Sequence, residues 1–160
     1  MAEGRKALGE LKAVLEADRR LPVPLSELRL GLKCGGSDGF SGISANPLVG
    51  RTCDLLMAAG GGAFMSEVPE MFGAEAEIYE RSSAASVLDG ALGMIEGFKD
   101  YYRSHGQPVY ENPSPGNKEG GITTLEEKSL GCVRKAGSSP IAGILPYGGA
   151  SREAGLHLVS

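Results

Sequence analysis

The sequence predicts an α/β fold: a mainly parallel sheet with flanking helices and glycine-rich loops at the strand ends. Strand-type and helix-type apolar patterns alternate along the chain. A glycine-rich stretch directly follows the first strand pattern and leads into a helix start, and the 25 glycines in 160 residues are clustered rather than periodic. With 41% hydrophobic residues and no internal repeat or dividing linker, residues 1–160 are expected to form one domain or part of one, with 1–24 as an N-terminal helix and linker.

Leu8, Leu11, Val14 and Leu15 form an apolar stripe that predicts an amphipathic helix over 3–18, packed through that stripe and ended before Pro22-Val23-Pro24. Leu28, Leu30 and Leu32 alternate with Arg29, Gly31 and Lys33, which is a strand running into Cys34-Gly35-Gly36-Ser37-Asp38-Gly39-Phe40-Ser41-Gly42. Asn46-Pro47 then reads as N-cap and first residue of a helix that buries Val49, Cys53 and Leu56 and stops at Gly60. Residues 63–68 predict a second strand that delivers Ser66 and Glu67 at its carboxyl end, where open α/β sheets place ligands. Leu88, Ala91, Ile95, Phe98 and Tyr102 predict a helix over 84–105, in which Gly90, Gly93 and Gly97 suggest close packing. The polar stretch 112–121 is a loop. It ends at Thr123-Thr124-Leu125-Glu126-Glu127, two overlapping capping boxes that open a helix to about Lys135, and 141–145 and 155–159 follow as short strands.

A net charge of −4 without a basic block excludes nucleic acid as a partner. The longest nearly uncharged apolar run, 55–65, is interrupted by three glycines and falls short of the roughly 20 residues of a bilayer crossing. The N-terminus lacks a secretory apolar segment, so a cytoplasmic location with reduced thiols is expected for Cys34, Cys53 and Cys132. The loop 34–42 offers a thiol, the Asp38 carboxylate, the Ser37 and Ser41 hydroxyls and accessible backbone N–H groups, which suit an anion or equally a tight turn. Asn117, Lys118 and Lys128 carry groups that grip carboxylates, although solvated lysines carry the same signal. Glu127 follows Thr124 by three residues and so has a capping explanation, whereas Glu67 at a strand end has fewer structural ones. Neither His105 nor His157 is assigned a catalytic role.

The run Gly31-Leu32-Lys33-Cys34-Gly35-Gly36-Ser37-Asp38-Gly39-Phe40-Ser41-Gly42-Ile43-Ser44-Ala45-Asn46-Pro47, followed by Ser66-Glu67, Pro115-Gly116-Asn117-Lys118 and Glu127-Lys128-Ser129-Leu130-Gly131, resembles the altronate dehydratase and galactarate dehydratase family of sugar-acid hydro-lyases. The match extends from about Leu25 to Val159 and resembles a central part of the catalytic region. The resemblance implies a metal-assisted dehydration of a hexonic or hexaric acid to a 2-keto-3-deoxy acid, with iron, as Fe²⁺ or an iron–sulfur centre, or a related divalent metal. A family relative that eliminates sulfite from sulfolactate leaves the leaving group open, and a binding module or subunit without its own catalysis is the alternative.

On that resemblance Cys34 is a metal ligand, and Ser37, Asp38 and Ser41 surround the metal or substrate. Gly35, Gly36, Asn46 and Asn117 belong to the substrate-binding set, with Asn117 and Lys118 orienting a substrate carboxylate. Glu67, Glu127 and Lys128 transfer protons or support their transfer. Cysteine suits iron better than magnesium. One thiol falls short of the three or more protein ligands such a metal requires, so the resemblance implies that missing family segments or a partner subunit complete the site. An incomplete domain with apolar edges is also expected to self-associate.

Overall fold

A computed structural model describes residues 2–160. Four short strands, β1 (Arg29–Leu32), β2 (Gly62–Met65), β3 (Ile141–Leu145) and β4 (Gly155–Val159), form one sheet in the order β1-β2-β4-β3. Every pairing is parallel, with Leu32 opposite Met65, Met65 opposite Leu158 and Ile144 opposite Leu158. The helices are α1 (Ala2–Glu16), α2 (Ala45–Ala58), α3 (Glu75–Glu80), α4 (Ala85–Ser104), α5 (Pro115–Glu119) and α6 (Leu125–Val133). The predicted α/β class with a parallel sheet and flanking helices is the one observed, and among the described residues no helix is long and apolar enough to cross a membrane.

Strand alternation sends Ala63, Met65, Leu156 and Leu158 to one side of the sheet, where they join Cys53 of α2, Ala91 and Ile95 of α4 and Val133 of α6 in a single core. Phe64 and His157, adjacent in the register, point the other way and stack at 5.6 Å between ring centroids. Gly143 makes room beside them, since a Cβ there would lie 3.1 Å from the imidazole. A bulge between Ile141 and Gly143 lets β3 keep Ile141 and Ile144 on the core side.

Several boundaries differ from expectation. The N-terminal helix forms, yet none of its residues is buried, and Leu8, Leu11, Val14 and Leu15 are all more than half exposed, so its stripe packs on nothing among the described residues. The N-cap of α2 is Ser44, which places Asn46 inside the first turn, and Val49 is exposed while Cys53 and Leu56 are buried. The second strand ends at Met65 because Glu67 adopts φ 68° and ψ 64°, and residues 68–71 then turn as a 3₁₀ helix. Helix α6 stops at Val133 and passes into a 3₁₀ turn over 134–136. Of the three helical glycines, only Gly90 has a packing reason, with Ile144 3.0 Å from where its Cβ would be, whereas Gly93 and Gly97 face open space.

One crossing positions the site. Gly50 of α2 lies against the backbone of Arg134 and Gly137, and no side chain fits between them. Asp54, one turn later, accepts the backbone N–H groups of Ser138 and Ser139 and both their hydroxyls. Burial pushes the Asp54 carboxyl up, but these bonds together outweigh it and hold the group below its ordinary value. The end of α6 is thereby fixed against α2, and with it the face that α6 turns toward the glycine-rich loop.

Candidate active site

The carboxyl ends of β1 and β2 release two segments side by side. Lys33 and Cys34 leave β1, while Ser66 and Glu67 leave β2 and lead into the 3₁₀ turn that carries Glu70. The Glu67 carboxylate accepts the backbone N–H of Cys34 at 2.5 Å and so ties the two strand ends together. A residue with a side chain pays about 1–2 kcal/mol to sit in the left-handed region, which implies that this position is selected for the carboxylate it presents. Glu67→Ala and Glu67→Gly both lose that acceptor, but only the glycine relieves the backbone. The glycine variant should therefore be the more stable of the two by about 1 kcal/mol in urea denaturation. Equal stabilities would contradict the left-handed conformation.

Helix α6 turns Lys128, Ser129, Cys132 and Val133 inward, the spacing of one helix face. Cys132 thus reaches the glycine-rich loop, and one sulfur or oxygen atom from each of Cys34, Glu70 and Cys132 lies within 4.8 Å of the others. The Ser37 hydroxyl stands 2.9 Å from the Cys34 sulfur and 3.9 Å from that of Cys132. The Cys132 thiol donates to Glu70 Oε2 at 3.1 Å. Burial pushes this thiol up to about 12, and the bond to Glu70 adds to the shift. The expectation of a single available thiol is corrected: the fold supplies a second one from nearly a hundred residues away. Cys53, by contrast, is part of the core, where burial and then the neighbouring Asp54 charge push its thiol up.

Lys128 is buried and its ammonium has three partners: Glu70 Oε1 at 3.1 Å, Asn112 Oδ1 at 2.8 Å and Asn117 Oδ1 at 2.7 Å. Asn117 is buried as well, and its amide donates to the Ser37 carbonyl at 3.0 Å. Asn117 therefore braces the 112–121 loop, α6 and the glycine-rich loop against one another. The neighbouring Lys118 is exposed, and its side chain makes no hydrogen bond or ion pair among the described residues. The fold thus separates the two members of the Asn117-Lys118 pair.

Beside this cluster opens a cavity of about 260 Å³ whose wall includes Ser37, Asp38, Ser41, Asn46, Glu127, Lys128, Cys132 and Arg134. Asp38 Oδ1 accepts the backbone N–H groups of Phe40 and Ser41 and the Ser41 hydroxyl. The Ser41 bonds, backbone first and hydroxyl second, hold its carboxyl below the ordinary value. Glu127 Oε2 accepts the N–H and hydroxyl of Thr123, which lower its carboxyl in the same way, while the Thr124 hydroxyl caps the helix through the Glu127 N–H. The capping prediction is met, with Glu127 reaching one residue further back than the usual box. Asn46 donates its amide to the Gly131 carbonyl at 2.9 Å and so joins the start of α2 to α6 rather than capping its own helix.

Gly35 and Gly36 line a separate cavity of about 470 Å³, along the edge of β1, with Leu30, Val49 and Thr52. Glu67 and Glu70 face a third, of similar size, toward Asn112. The residues picked from sequence therefore surround the Cys34–Cys132 cluster on three sides, with Lys118 outside it. Glu70, Asn112, Cys132 and Arg134 were missed by sequence reasoning. Only Cys132 had a usable signal, its helical spacing of four from Lys128.

The family model described as D-galactarate/altronate dehydratase, C-terminal, matches residues 25–160. The chain is 54% identical over all 160 residues to an altronate dehydratase of Bacillus subtilis, and 51% identical over 157 residues to one of Escherichia coli. It is 39% identical over 142 residues, 89% of its length, to an Escherichia coli galactarate dehydratase (L-threo-forming). It spans only 32%, 32% and 27% of those three proteins. The matched region is C-terminal in the family, where a central one was expected. With its characteristic loop, its second polar loop and the start of α6 converging on one cluster, the chain belongs to the D-galactarate/altronate dehydratase family, within the family's C-terminal region.

Proposed function

We propose that this chain is the portion of a sugar-acid hydro-lyase that holds the metal and one wall of the substrate cavity, acting on a hexonic or hexaric acid such as altronate or galactarate to give a 2-keto-3-deoxy acid in the cytoplasm. The observation that carries this reading is the meeting of Cys34, Cys132 and Glu70 beside a cavity lined by hydroxyls and carboxylates. Two thiols and a carboxylate are a donor set for iron or zinc rather than magnesium or calcium. Cys53 lies in the core and adds no ligand, so these residues offer two of the roughly four cysteines that an iron–sulfur cluster takes and are a sufficient start for a single ion. Three protein donors also match catalytic sites, which keep a position open. When bound, such an ion supplies Lewis acidity toward the substrate's carboxylate or hydroxyl oxygens.

The chain's own residues supply the rest. Lys128 holds Glu70 Oε1 and leaves Oε2 turned toward the thiols. Asn117 fixes the Ser37 carbonyl and so the position of the Ser37 hydroxyl at the cavity wall. Asp38 and Glu127 each engage one carboxylate oxygen with their own loop and keep the other free of hydrogen bonds among the described residues. Glu127 is our assignment for taking the proton next to the substrate carboxylate, while the Ser37 hydroxyl passes a proton to the departing β-hydroxyl, which leaves as water, and the enol so formed tautomerises to the 2-keto-3-deoxy acid. Glu67 acts through the position of Cys34.

The test is anaerobic reconstitution with ferrous iron, alone and together with the remaining two-thirds of the Bacillus subtilis altronate dehydratase, followed by a keto-acid assay on altronate and galactarate. Keto acid that requires both iron and the added segments supports the reading. Bound iron and a folded complex with no product would favour the sulfolactate-type elimination or a binding module instead.

A further inference from the structure

Four charged side chains line the 260 Å³ cavity, and three of them are already engaged. Asp38 and Glu127 each accept hydrogen bonds from their own loops through one oxygen, and Lys128 is saturated by Glu70, Asn112 and Asn117. Arg134 is the exception: among the described residues its guanidinium has no hydrogen bond and no ion pair. Glu77, which borders the shallow depression on the other side of Arg134, is not paired with it.

We infer that Arg134 is the carboxylate anchor of this cavity and fixes the direction in which a sugar acid lies there. This rests on the sugar-acid reading above for the choice of ligand, but the arrangement has its own chemical logic. A planar guanidinium with free donors matches a carboxylate in a two-bond fork. The free oxygens of Asp38 and Glu127 repel that carboxylate and accept hydroxyl hydrogens, so a hexonic acid, with its acid at one end and hydroxyls along its length, has one favourable orientation, and a hexaric diacid such as galactarate seats one of its two carboxylates on the arginine. The backbone of Arg134 is held by the Gly50 crossing, which fixes the root of the side chain. Gly42 and Gly131 meet where loop and helix cross: a Cβ on Gly131 would be 3.3 Å from the Gly42 Cα. That close crossing brings the loop carboxylate and the arginine to the same small cavity.

The experiment is a ¹⁵N–¹H NMR titration of the 160-residue chain with galactarate, with galactitol, which has the hydroxyls without the acids, and with glutarate, which has the acids without the hydroxyls. Wild type should bind galactarate with shifts at Gly42 and Gly131. Arg134→Met should weaken that binding by about tenfold or more, with Arg134→Lys intermediate. Unchanged galactarate binding in a folded Arg134→Met variant would overturn the anchor and leave the sugar-acid reading standing. Glutarate binding as tightly as galactarate, and equally lost in Arg134→Met, would keep the anchor and remove the sugar-acid reading. No binding of either acid by wild type would overturn the anchor as well. Because Arg134 is exposed, both variants should keep the wild-type spectrum outside the cavity, which the same titrations record.

Discussion

Lys128→Met should lower the stability of the chain by about 3–5 kcal/mol, the cost of removing one partner from a buried ion pair. Methionine fits the volume of the lysine stem, so packing changes little and the loss is electrostatic. Glu70, itself partly buried, would be left without its cation, and the Asn112 and Asn117 carbonyl oxygens would lose their shared donor. Urea denaturation reads the effect as a lower midpoint at unchanged slope. The double variant Lys128→Met/Glu70→Gln separates the mechanisms, because removing the orphaned charge should restore part of the loss. A single-variant loss below about 1 kcal/mol, the range of exposed pairs, would mean that the pair is not buried as described.

Gly50→Ala should cost about 2–3 kcal/mol, reversing the usual rule that alanine stabilises a helix interior. The added methyl would run into the carbonyl of Arg134 and stand 2.9 Å from the Gly137 nitrogen, and both are backbone atoms that no rotamer change can move. Gly97→Ala in α4 is the contrast, since that position faces open space and should gain about 0.5–1 kcal/mol. Thermal melts of the two variants shifting in the same direction would remove the close crossing of α2 with the end of α6.

What was legible in the sequence follows from the range of the forces involved. The alternation of Leu28, Leu30 and Leu32, the stripe of α4 and the threonine caps of α6 are local patterns, and each produced its element within a few residues. The shortening of the second strand was not local. Glu67 leaves the extended conformation where its carboxylate meets the Cys34 N–H, a contact across 33 residues. Asn46 looked like a cap because Asn-Pro often is one, yet its amide is drawn to Gly131, 85 residues on. The same distance hid the second thiol. Cys34 announces itself in an unusual loop, whereas the only cue to Cys132 is its spacing of four from Lys128, which says nothing of Cys34 until α6 is docked. Glu70 carries no sequence cue at all, being one acid among 20 until the 3₁₀ turn aims it at Lys128.

The bare N-terminal helix bears on how this chain melts. Because no residue of α1 is buried, and the 3₁₀ turn that begins at Leu25 is where backbone contacts with the sheet begin, with the Leu25 carbonyl close to Gly61, the first two dozen residues expose almost the same surface folded and unfolded. The heat capacity of unfolding, which scales with newly wetted surface, therefore belongs to residues 25–160. That is the same span the family model recognises, whereas the likeness to the Bacillus subtilis relative runs through all 160 residues, so the exposed helix is inherited along with a unit to whose melting it adds little.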